Sequence, residues 1–102
     1  MKSYKLKITP EAVQEIQQAI DYYNDTRKGL GKIFYVALQK QFSLIKKRPH
    51  ARSVRYDDVR FALLEKFPYA AHYTIDEQTH IIIIQAVLSD YQSPDTHWIK
   101  RL

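Results

Sequence analysis

The fold is decided by residues 60–98, RFALLEKFPYAAHYTIDEQTHIIIIQAVLSDYQSPDTHW. Apolar and polar residues alternate in its first part, and Lys66-Phe67-Pro68 then interrupts the pattern, as proline does at the end of a strand. A polar turn is predicted at Asp76–Thr79, between two further apolar runs. The predicted strands are Arg60–Glu65, Tyr69–Ile75 and His80–Leu88. These segments predict an antiparallel meander of three strands.

The residues before this stretch predict a strand followed by two helices. Residues 4–8 alternate apolar residues with lysine, which is typical of a strand with one buried face. Thr9-Pro10-Glu11 is a helix start, with a hydroxyl cap, a proline in the first turn and a carboxylate beside it. Gly29 and Gly31 predict the turn between the helices, and Pro49 predicts the end of the second. Two helices joined so closely form a hairpin that can cover one face of a sheet.

A further strand is predicted at Ser53–Tyr56, joined to Val59–Glu65 by a turn at Asp57-Asp58. A short helix is predicted from Pro94. The fold class is therefore α+β: an N-terminal strand, a two-helix hairpin packed on a mostly antiparallel sheet, and a short C-terminal helix. The 102 residues, 1–102, are expected to form a single domain. Four side chains are expected to be buried in the sheet: Phe61, Leu63, Ile82 and Ile84.

The formal charge is +5, and much of it is concentrated between residues 46 and 60. The cations there are Lys46, Lys47, Arg48, Arg52, Arg55 and Arg60. Such a patch favours an anionic partner, either nucleic acid or an acidic protein segment, although a merely solvated basic surface gives the same pattern. The sequence contains no cysteine, which fits a reducing, cytoplasmic location. Its N-terminus resembles neither a signal peptide nor a membrane span, so no membrane partner is expected.

No cofactor or metal is expected. The four histidines, residues 50, 72, 80 and 97, do not have the spacing of metal ligands, and no glycine-rich phosphate loop is present. Asp57-Asp58 fits a polar turn better than an acid–base pair, since adjacent side chains point apart.

The segment from Arg60 to Tyr73, with the Pro94…Trp98 tail, resembles the plasmid-stabilisation toxins of the RelE/ParE superfamily. The resemblance implies a toxin of a type II toxin–antitoxin system, with a cognate antitoxin as partner. The superfamily has two branches. RelE-like toxins cut messenger RNA on the ribosome, whereas ParE-like toxins bind and poison DNA gyrase.

The resemblance disfavours the RNA-cutting branch, because its basic positions align here with Phe61, Leu63, Ala70 and, near the tail, Asp90. Without a metal, that branch needs cations to stabilise the phosphorane charge. Its tail tyrosine aligns near Trp98, which is neither an acid nor a base. The sequence therefore favours a protein that is not an enzyme, but leaves this open. The remaining candidates for catalysis are Arg52, Arg55 and Arg60.

The ParE-like branch matches better, so the first interpretation is a toxin that inhibits growth by binding a target such as DNA gyrase. The matching residues are Arg60, Phe67, Pro68, Tyr69, Tyr73, Pro94, Trp98 and Arg101. The segment Ser89–Ser93 departs from the branch, which often has His and basic residues there. The alternative is a RelE-like, ribosome-dependent endoribonuclease, and a third possibility is a non-toxic interaction module.

The resemblance also implies a surface for the antitoxin. An antitoxin tail would lay its apolar side into a groove of the domain and its acidic side chains against the arginines. The opposing interpretation is that the chain's own tail closes this groove. The residues expected to bind the partner are Arg52, Arg55, Arg60, Tyr35, Trp98 and Arg101.

Overall fold

The computed structural model describes residues 3–89. Within this range the elements are β1 (Lys5–Ile8), α1 (Pro10–Thr26), α2 (Leu30–Lys47), a 3₁₀ turn (Pro49–Ala51), β2 (Val54–Tyr56), β3 (Val59–Leu63), β4 (Tyr69–Asp76) and β5 (Ile81–Ser89). The predicted α+β class and element order are confirmed. The helix predicted from Pro94 lies outside the described residues.

The five strands form one sheet in the order β1-β5-β4-β3-β2. Strands β2 to β5 pair antiparallel, whereas β1 lies parallel to β5, with Leu6 opposite Ile82. A parallel pair needs a long crossover connection, and here the chain between the two strands includes the helical hairpin. The hairpin therefore covers one face of the sheet, and β5 lies between β1 and β4.

The helix start that the sequence predicted is confirmed. The Thr9 hydroxyl accepts a hydrogen bond from the Ala12 amide at 3.1 Å, and Pro10 occupies the first helical turn. Only one of the two glycines lies in the turn, however. Gly29 has a left-handed backbone (φ 87°), while Gly31 is buried inside the first turn of α2. A Cβ atom on Gly31 would lie 2.6 Å from the Ile20 carbonyl oxygen, so glycine allows the two helices to approach closely.

The hydrophobic core lies between the helices and the sheet. Ile82 and Ile84 are fully buried there, as predicted, and the Tyr23, Phe34, Phe67 and Tyr69 rings pack together at one end. The same expectation was wrong for Leu63, which is 57% exposed, and only partly met by Phe61, which is half-buried. Both alternate with Ala62, which is in the core, and so belong to the opposite face of the sheet. Within residues 3–89 no helix is both long and apolar enough to cross a membrane.

Candidate functional site

The three arginines proposed from sequence lie close together, but they have different environments. Arg52 follows the 3₁₀ turn, Arg55 lies on β2 and Arg60 lies on β3, which pairs with β2. Because β2 and β3 are joined by a tight turn at Asp57-Asp58, a short piece of sequence brings all three cations to one edge of the sheet.

Arg60 supports the backbone of the preceding loop. Its guanidinium donates to the carbonyl oxygens of Arg52 and His50, the latter at 3.4 Å. Opposite Arg60 on β4, the buried Tyr73 hydroxyl donates to the Pro49 carbonyl oxygen at 2.7 Å. Burial raises the pKa of Tyr73, while the nearby Arg60 and Arg52 charges partly oppose this shift, so the phenol keeps its proton at neutral pH. Arg60 and Tyr73 together fix residues 49–52.

Arg52 and Arg55 are placed differently. Arg52 is half-buried and donates to the side-chain oxygen of Gln41 on α2 at 3.4 Å. Arg55 is exposed, and its guanidinium carbon lies 5.3 Å from the centre of the Phe61 ring. Such a cation–π contact positions the charge over the sheet without removing it from water.

An aromatic cluster continues from Phe61 across the face opposite the helices. The Phe61 ring stacks on buried His72 with centroids 3.9 Å apart, and Tyr56 meets Phe61 edge-on at 5.7 Å. Burial and the charge of Asp57 both raise the pKa of Tyr56, so its hydroxyl stays protonated at neutral pH. Next to the Phe61–His72 pair, Leu63 lies directly opposite Ala70. The face is therefore apolar at Phe61, Leu63 and Ala70.

A cleft of about 540 Å³ opens beside this cluster. Its lining consists of Ala51, Arg52, Ser53, Arg55, Phe61 and Leu63. The cleft therefore combines two of the three candidate arginines with two of the sheet's apolar side chains. Arg60 does not line it, since its guanidinium bonds to the loop carbonyls instead.

The other predicted partner residues are not part of this cleft. Tyr35 is 44% exposed on α2, six positions and about 9 Å along the helix from Gln41, the residue that contacts Arg52. Trp98 and Arg101, like Asp90, lie outside the described residues. The structure thus brings Arg52 and Arg55 together in one cleft, while Arg60 supports the adjoining loop.

A cluster that sequence reasoning missed lies at the β4–β5 turn. Nε2 of His50 is 2.6 Å from a Glu77 carboxylate oxygen, and the Tyr4 hydroxyl donates to the other oxygen at 3.1 Å. The Tyr4 ring also meets the His80 ring edge-on, with centroids 5.2 Å apart. The hydrogen bond from His50 is the main cause of a lowered pKa at Glu77. These residues are far apart in sequence and are brought together by the tertiary fold, so no local sequence motif predicts the cluster.

The pair of His50 and Glu77 does not extend into a metal site. Among residues 3–89, no group of three or more His, Asp or Glu side chains is arranged to hold a metal ion. The arrangement fixes the 3₁₀ turn to the β4–β5 turn through an exposed hydrogen bond.

Comparison with known proteins identifies the fold. No family model matches the chain, and no curated protein matches it in sequence. Solved structures do match. The chromosomal ParDE toxin–antitoxin system of P. aeruginosa contains a chain with a TM-score of 0.73 and 18% identity, covering 85% of this chain and 96% of that one. The intact RelBE toxin–antitoxin complex of E. coli gives a TM-score of 0.67 at 18% identity, with the same coverage.

A free-state structure of an E. coli RelE variant aligns over 99% of both chains, with a TM-score of 0.68 and 16% identity. The predicted resemblance to the RelE/ParE superfamily is therefore confirmed at the level of the fold. ParDE and RelBE chains both match, so the fold alone does not choose between the two branches.

Proposed function

We propose that this chain is the toxin of a type II toxin–antitoxin pair, neutralised by a cognate antitoxin, and that it acts in the ParE-like manner by binding a target such as DNA gyrase. The shared fold supports the toxin assignment, because the matching structures are described as a toxin or as toxin–antitoxin assemblies. The supporting observation for the mode of action is the apolar sheet face at Phe61, Leu63 and Ala70.

That observation matters because RNA cleavage without a metal needs a preorganised positive charge around the phosphate. Phe61 stacks on His72, and Leu63 faces Ala70, so neither Phe61 nor Leu63 nor Ala70 supplies a cation. A face of this composition suits a protein contact, in which buried aromatic and apolar side chains contribute most of the affinity. Of the three candidate arginines, Arg60 has a structural role, because its guanidinium donates hydrogen bonds to backbone carbonyl oxygens of the 49–52 loop.

A RelE-like endoribonuclease is the second candidate, and one observation favours it. Arg52 and Arg55 line the cleft beside Phe61, where two guanidinium groups and a ring could hold a phosphate and a stacked base. In this alternative Arg55 would be the charge-stabilising residue.

Induced expression in a bacterial host tests the proposal. Growth should stop, and co-expression of the cognate antitoxin should restore it. Plasmid supercoiling should change while primer extension on messenger RNA shows no new ends. Codon-spaced cleavage with normal supercoiling would instead establish the endoribonuclease. Unimpaired growth without the antitoxin would overturn both and leave an interaction module.

The expression test has a matched control. An Ile84→Asp chain places a carboxylate at a fully buried position of β5 and should be much less active, because the folded domain is strongly destabilised. Growth arrest by this variant would mean that the toxicity does not come from the folded domain.

A further inference from the structure

Helix α1 has a charge opposite to that of the domain as a whole. The formal charge of the chain is +5, yet α1 contains none of its 16 lysines and arginines. The nearest cations in sequence, Lys7 and Arg27, lie beyond the two ends of the helix. The acidic residues of α1 are Glu11, Glu15, Asp21 and Asp25. α1 therefore presents a negative surface on a basic protein.

One face of α1 lies beside the end of the β4–β5 pair. Residues three or four apart are neighbours on a helix, so Glu15, Gln18 and Tyr22 form a continuous row. Tyr69 is the first residue of β4 and Ser89 the last of β5, and the two are directly opposite each other in the ladder. The row on α1 and these strand ends enclose a groove.

The groove consists of two adjacent cavities. The larger, of about 380 Å³, is lined by Tyr22, Tyr23, Pro68, Tyr69 and Ser89. The smaller, of about 150 Å³, is lined by Glu15, Gln18, Ala19, Tyr22, Tyr69 and Val87. Because Tyr22 and Tyr69 line both cavities, we call them together the tyrosine groove. Among the described residues, no lysine, arginine or histidine lines it.

The rings of the tyrosine groove are held by their neighbours. The Tyr23 ring meets Tyr22 edge-on at 5.1 Å and Tyr69 at 6.0 Å. Tyr69 also packs edge-on against the core residue Phe34, with centroids 5.0 Å apart. Burial is the main cause of a raised pKa at Tyr69, with a smaller contribution from the nearby Tyr22, so Tyr69 remains a neutral phenol. The groove therefore has aromatic walls that are in place before any ligand arrives.

The carboxylate of Glu15 is held beside these rings by the sheet. Its Oε1 atom accepts a hydrogen bond from the Val87 amide at 2.9 Å, and the side chain is half-buried. An amide donor fixes the position of a carboxylate without neutralising its charge. The tyrosine groove thus combines aromatic rings, whose faces attract cations, with a positioned negative charge.

We infer that the tyrosine groove binds an arginine side chain of a basic partner protein, with the guanidinium against the rings of Tyr22 and Tyr69 and the carboxylate of Glu15. A guanidinium fits best, because it is planar, stacks on aromatic rings and pairs with carboxylates. The negative surface of α1 favours a basic segment around that arginine. The groove shares no residue with the cleft of Arg52 and Arg55, so its partner is distinct from an acidic one bound there.

A peptide with a single arginine tests the groove directly. A short serine–glycine peptide with one central arginine, blocked at both ends, is titrated into the full chain and followed by NMR. The control peptide carries citrulline, which has the shape of arginine but no charge. The arginine peptide should shift the signals of Tyr22, Tyr69 and the Val87 amide and bind about tenfold more tightly than the control. Equal affinities, or shifts confined to another surface, would overturn the inference.

Two substitutions that each remove one charge separate the groove from the overall charge of α1. Glu15→Gln keeps a side-chain oxygen for the Val87 amide but removes the carboxylate. Asp21→Asn makes the same change on another face of α1, where Asp21 accepts from Gln17 at 3.0 Å. Glu15→Gln should weaken the arginine peptide about tenfold, and Asp21→Asn less than about twofold. Equal losses would mean that only the charge of the helix attracts the peptide, which overturns the inference.

The ring of Tyr22 provides a test that does not involve Glu15. Tyr22 is 61% exposed, so its replacement should not unfold the domain. Tyr22→Phe keeps the ring and should bind the arginine peptide within about twofold of the parent, whereas Tyr22→Leu should weaken it about fivefold. Tyr35→Leu, at a tyrosine that is 44% exposed on α2, is the matched control and should have no effect. Parental affinity in Tyr22→Leu would contradict the contact between the cation and the ring.

Two other sources of the cation would overturn the inference. If a Lys100→Gln, Arg101→Gln double variant binds the arginine peptide about tenfold more tightly than the parent, the chain's own segment 90–102 occupies the groove. If the parent self-associates in sedimentation and Glu15→Gln abolishes this, the occupant is a second copy of the chain. A monomeric parent with the same peptide affinity as the double variant supports a partner protein.

Growth arrest and binding of the arginine peptide are independent outcomes. If the peptide binds at Tyr22 and Tyr69 but expression leaves growth unimpaired, the groove stands and the proposed function fails. If expression stops growth and the antitoxin restores it, but the arginine and citrulline peptides bind equally, the toxin assignment stands and the groove is not a binding site.

Discussion

Arg60 and Tyr73 lie opposite each other on β3 and β4, and both donate hydrogen bonds to carbonyl oxygens of the chain that leaves α2. The Tyr73 hydroxyl holds Pro49, and the Arg60 guanidinium holds His50 and Arg52. The position of the Arg52 side chain in the cleft therefore depends on two residues that are not part of the cleft lining.

Tyr73→Phe should lower the free energy of unfolding by about 1–3 kcal/mol, because the buried Pro49 carbonyl oxygen would lose its donor. Urea unfolding followed by circular dichroism measures the change. Tyr22→Phe removes a hydroxyl from a tyrosine that is 61% exposed and should change stability by less than about 0.5 kcal/mol. Equal effects of the two substitutions would mean that the hydroxyl of Tyr73 does not hold the loop.

Ile84→Asp should lower stability by several kcal/mol, about 3 or more, because an unpaired carboxylate would replace a fully buried side chain on β5. Ile33→Asp is the control, since Ile33 is 51% exposed in the first turn of α2, where a negative charge is favourable. Thermal melts compare the two. A parental melting temperature for Ile84→Asp would contradict the interior position of β5, between β1 and β4.

The elements were predictable because each has its own local pattern. The cap at Thr9, the interruption at Pro68 and the isoleucine run of β5 depend on neighbours in sequence, and all three occur as predicted. The faces of the strands were less predictable. Alternation shows that Phe61 and Leu63 share a face, but the sequence pattern does not say which face the helices cover, and their burial was therefore overestimated.

The candidate site was only partly predictable for a related reason. Charge clustering identified Arg52, Arg55 and Arg60 as a group, and the structure places them at one sheet edge. Their separate roles depend on hydrogen bonds to backbone carbonyls, which no residue pattern encodes. The contact between His50 and Glu77 spans 27 positions and joins the 3₁₀ turn to the β4–β5 turn, so it follows from the tertiary fold and not from a local pattern.

Gly31→Ala should destabilise the protein by about 1–3 kcal/mol, because the new methyl group would be 2.6 Å from the Ile20 carbonyl oxygen and would force α1 and α2 apart. Alanine has a better helix propensity than glycine, by about 1 kcal/mol, and this gain offsets only part of the cost of the clash. Urea unfolding provides the measurement.

The control is Gly29→Asn, at the turn. Gly29 has φ 87° and no atom within 4 Å of the position of a Cβ, and asparagine tolerates that backbone, so the cost should be below about 1 kcal/mol. A larger cost at Gly29 than at Gly31 would mean that the turn conformation, and not helix packing, is the constraint.

The His50–Glu77 pair should make stability depend on pH. The folded pKa of Glu77 is lowered from its ordinary value of 4.5, mainly by the hydrogen bond from His50. The folded state then binds fewer protons than the unfolded state in this range. The contribution of Glu77 to the stability of the folded state is therefore present above its unfolded pKa, and it is lost as pH falls through its folded pKa.

As pH falls from about 6 to about 3, Glu77→Gln should therefore lose less stability than the parent, because it has no carboxylate to protonate at this position. The urea midpoint at each pH measures this. Asp76 also has a lowered pKa, mainly through hydrogen bonds with Thr79, so Asp76→Asn tests its share separately. Parallel pH curves for the parent and Glu77→Gln would show that the contact between Glu77 and His50 does not contribute to the pH dependence.

Arg55→Glu should weaken antitoxin binding without unfolding the domain, because Arg55 is exposed and lines the cleft. Arg60 is unsuitable for this purpose, since its guanidinium holds the 50–52 backbone and a glutamate there would disturb the loop itself. Lys28→Glu, in the exposed turn between the helices, changes the net charge equally and is the matched control.

At low salt Arg55→Glu should bind the antitoxin about tenfold more weakly than the parent. Its affinity should also depend less on salt, because an attractive contact has become repulsive. Calorimetric titration at several ionic strengths measures the affinity and its dependence on salt. If Arg55→Glu and Lys28→Glu lose affinity equally, only the overall charge of the domain matters, and the partner does not contact the cleft.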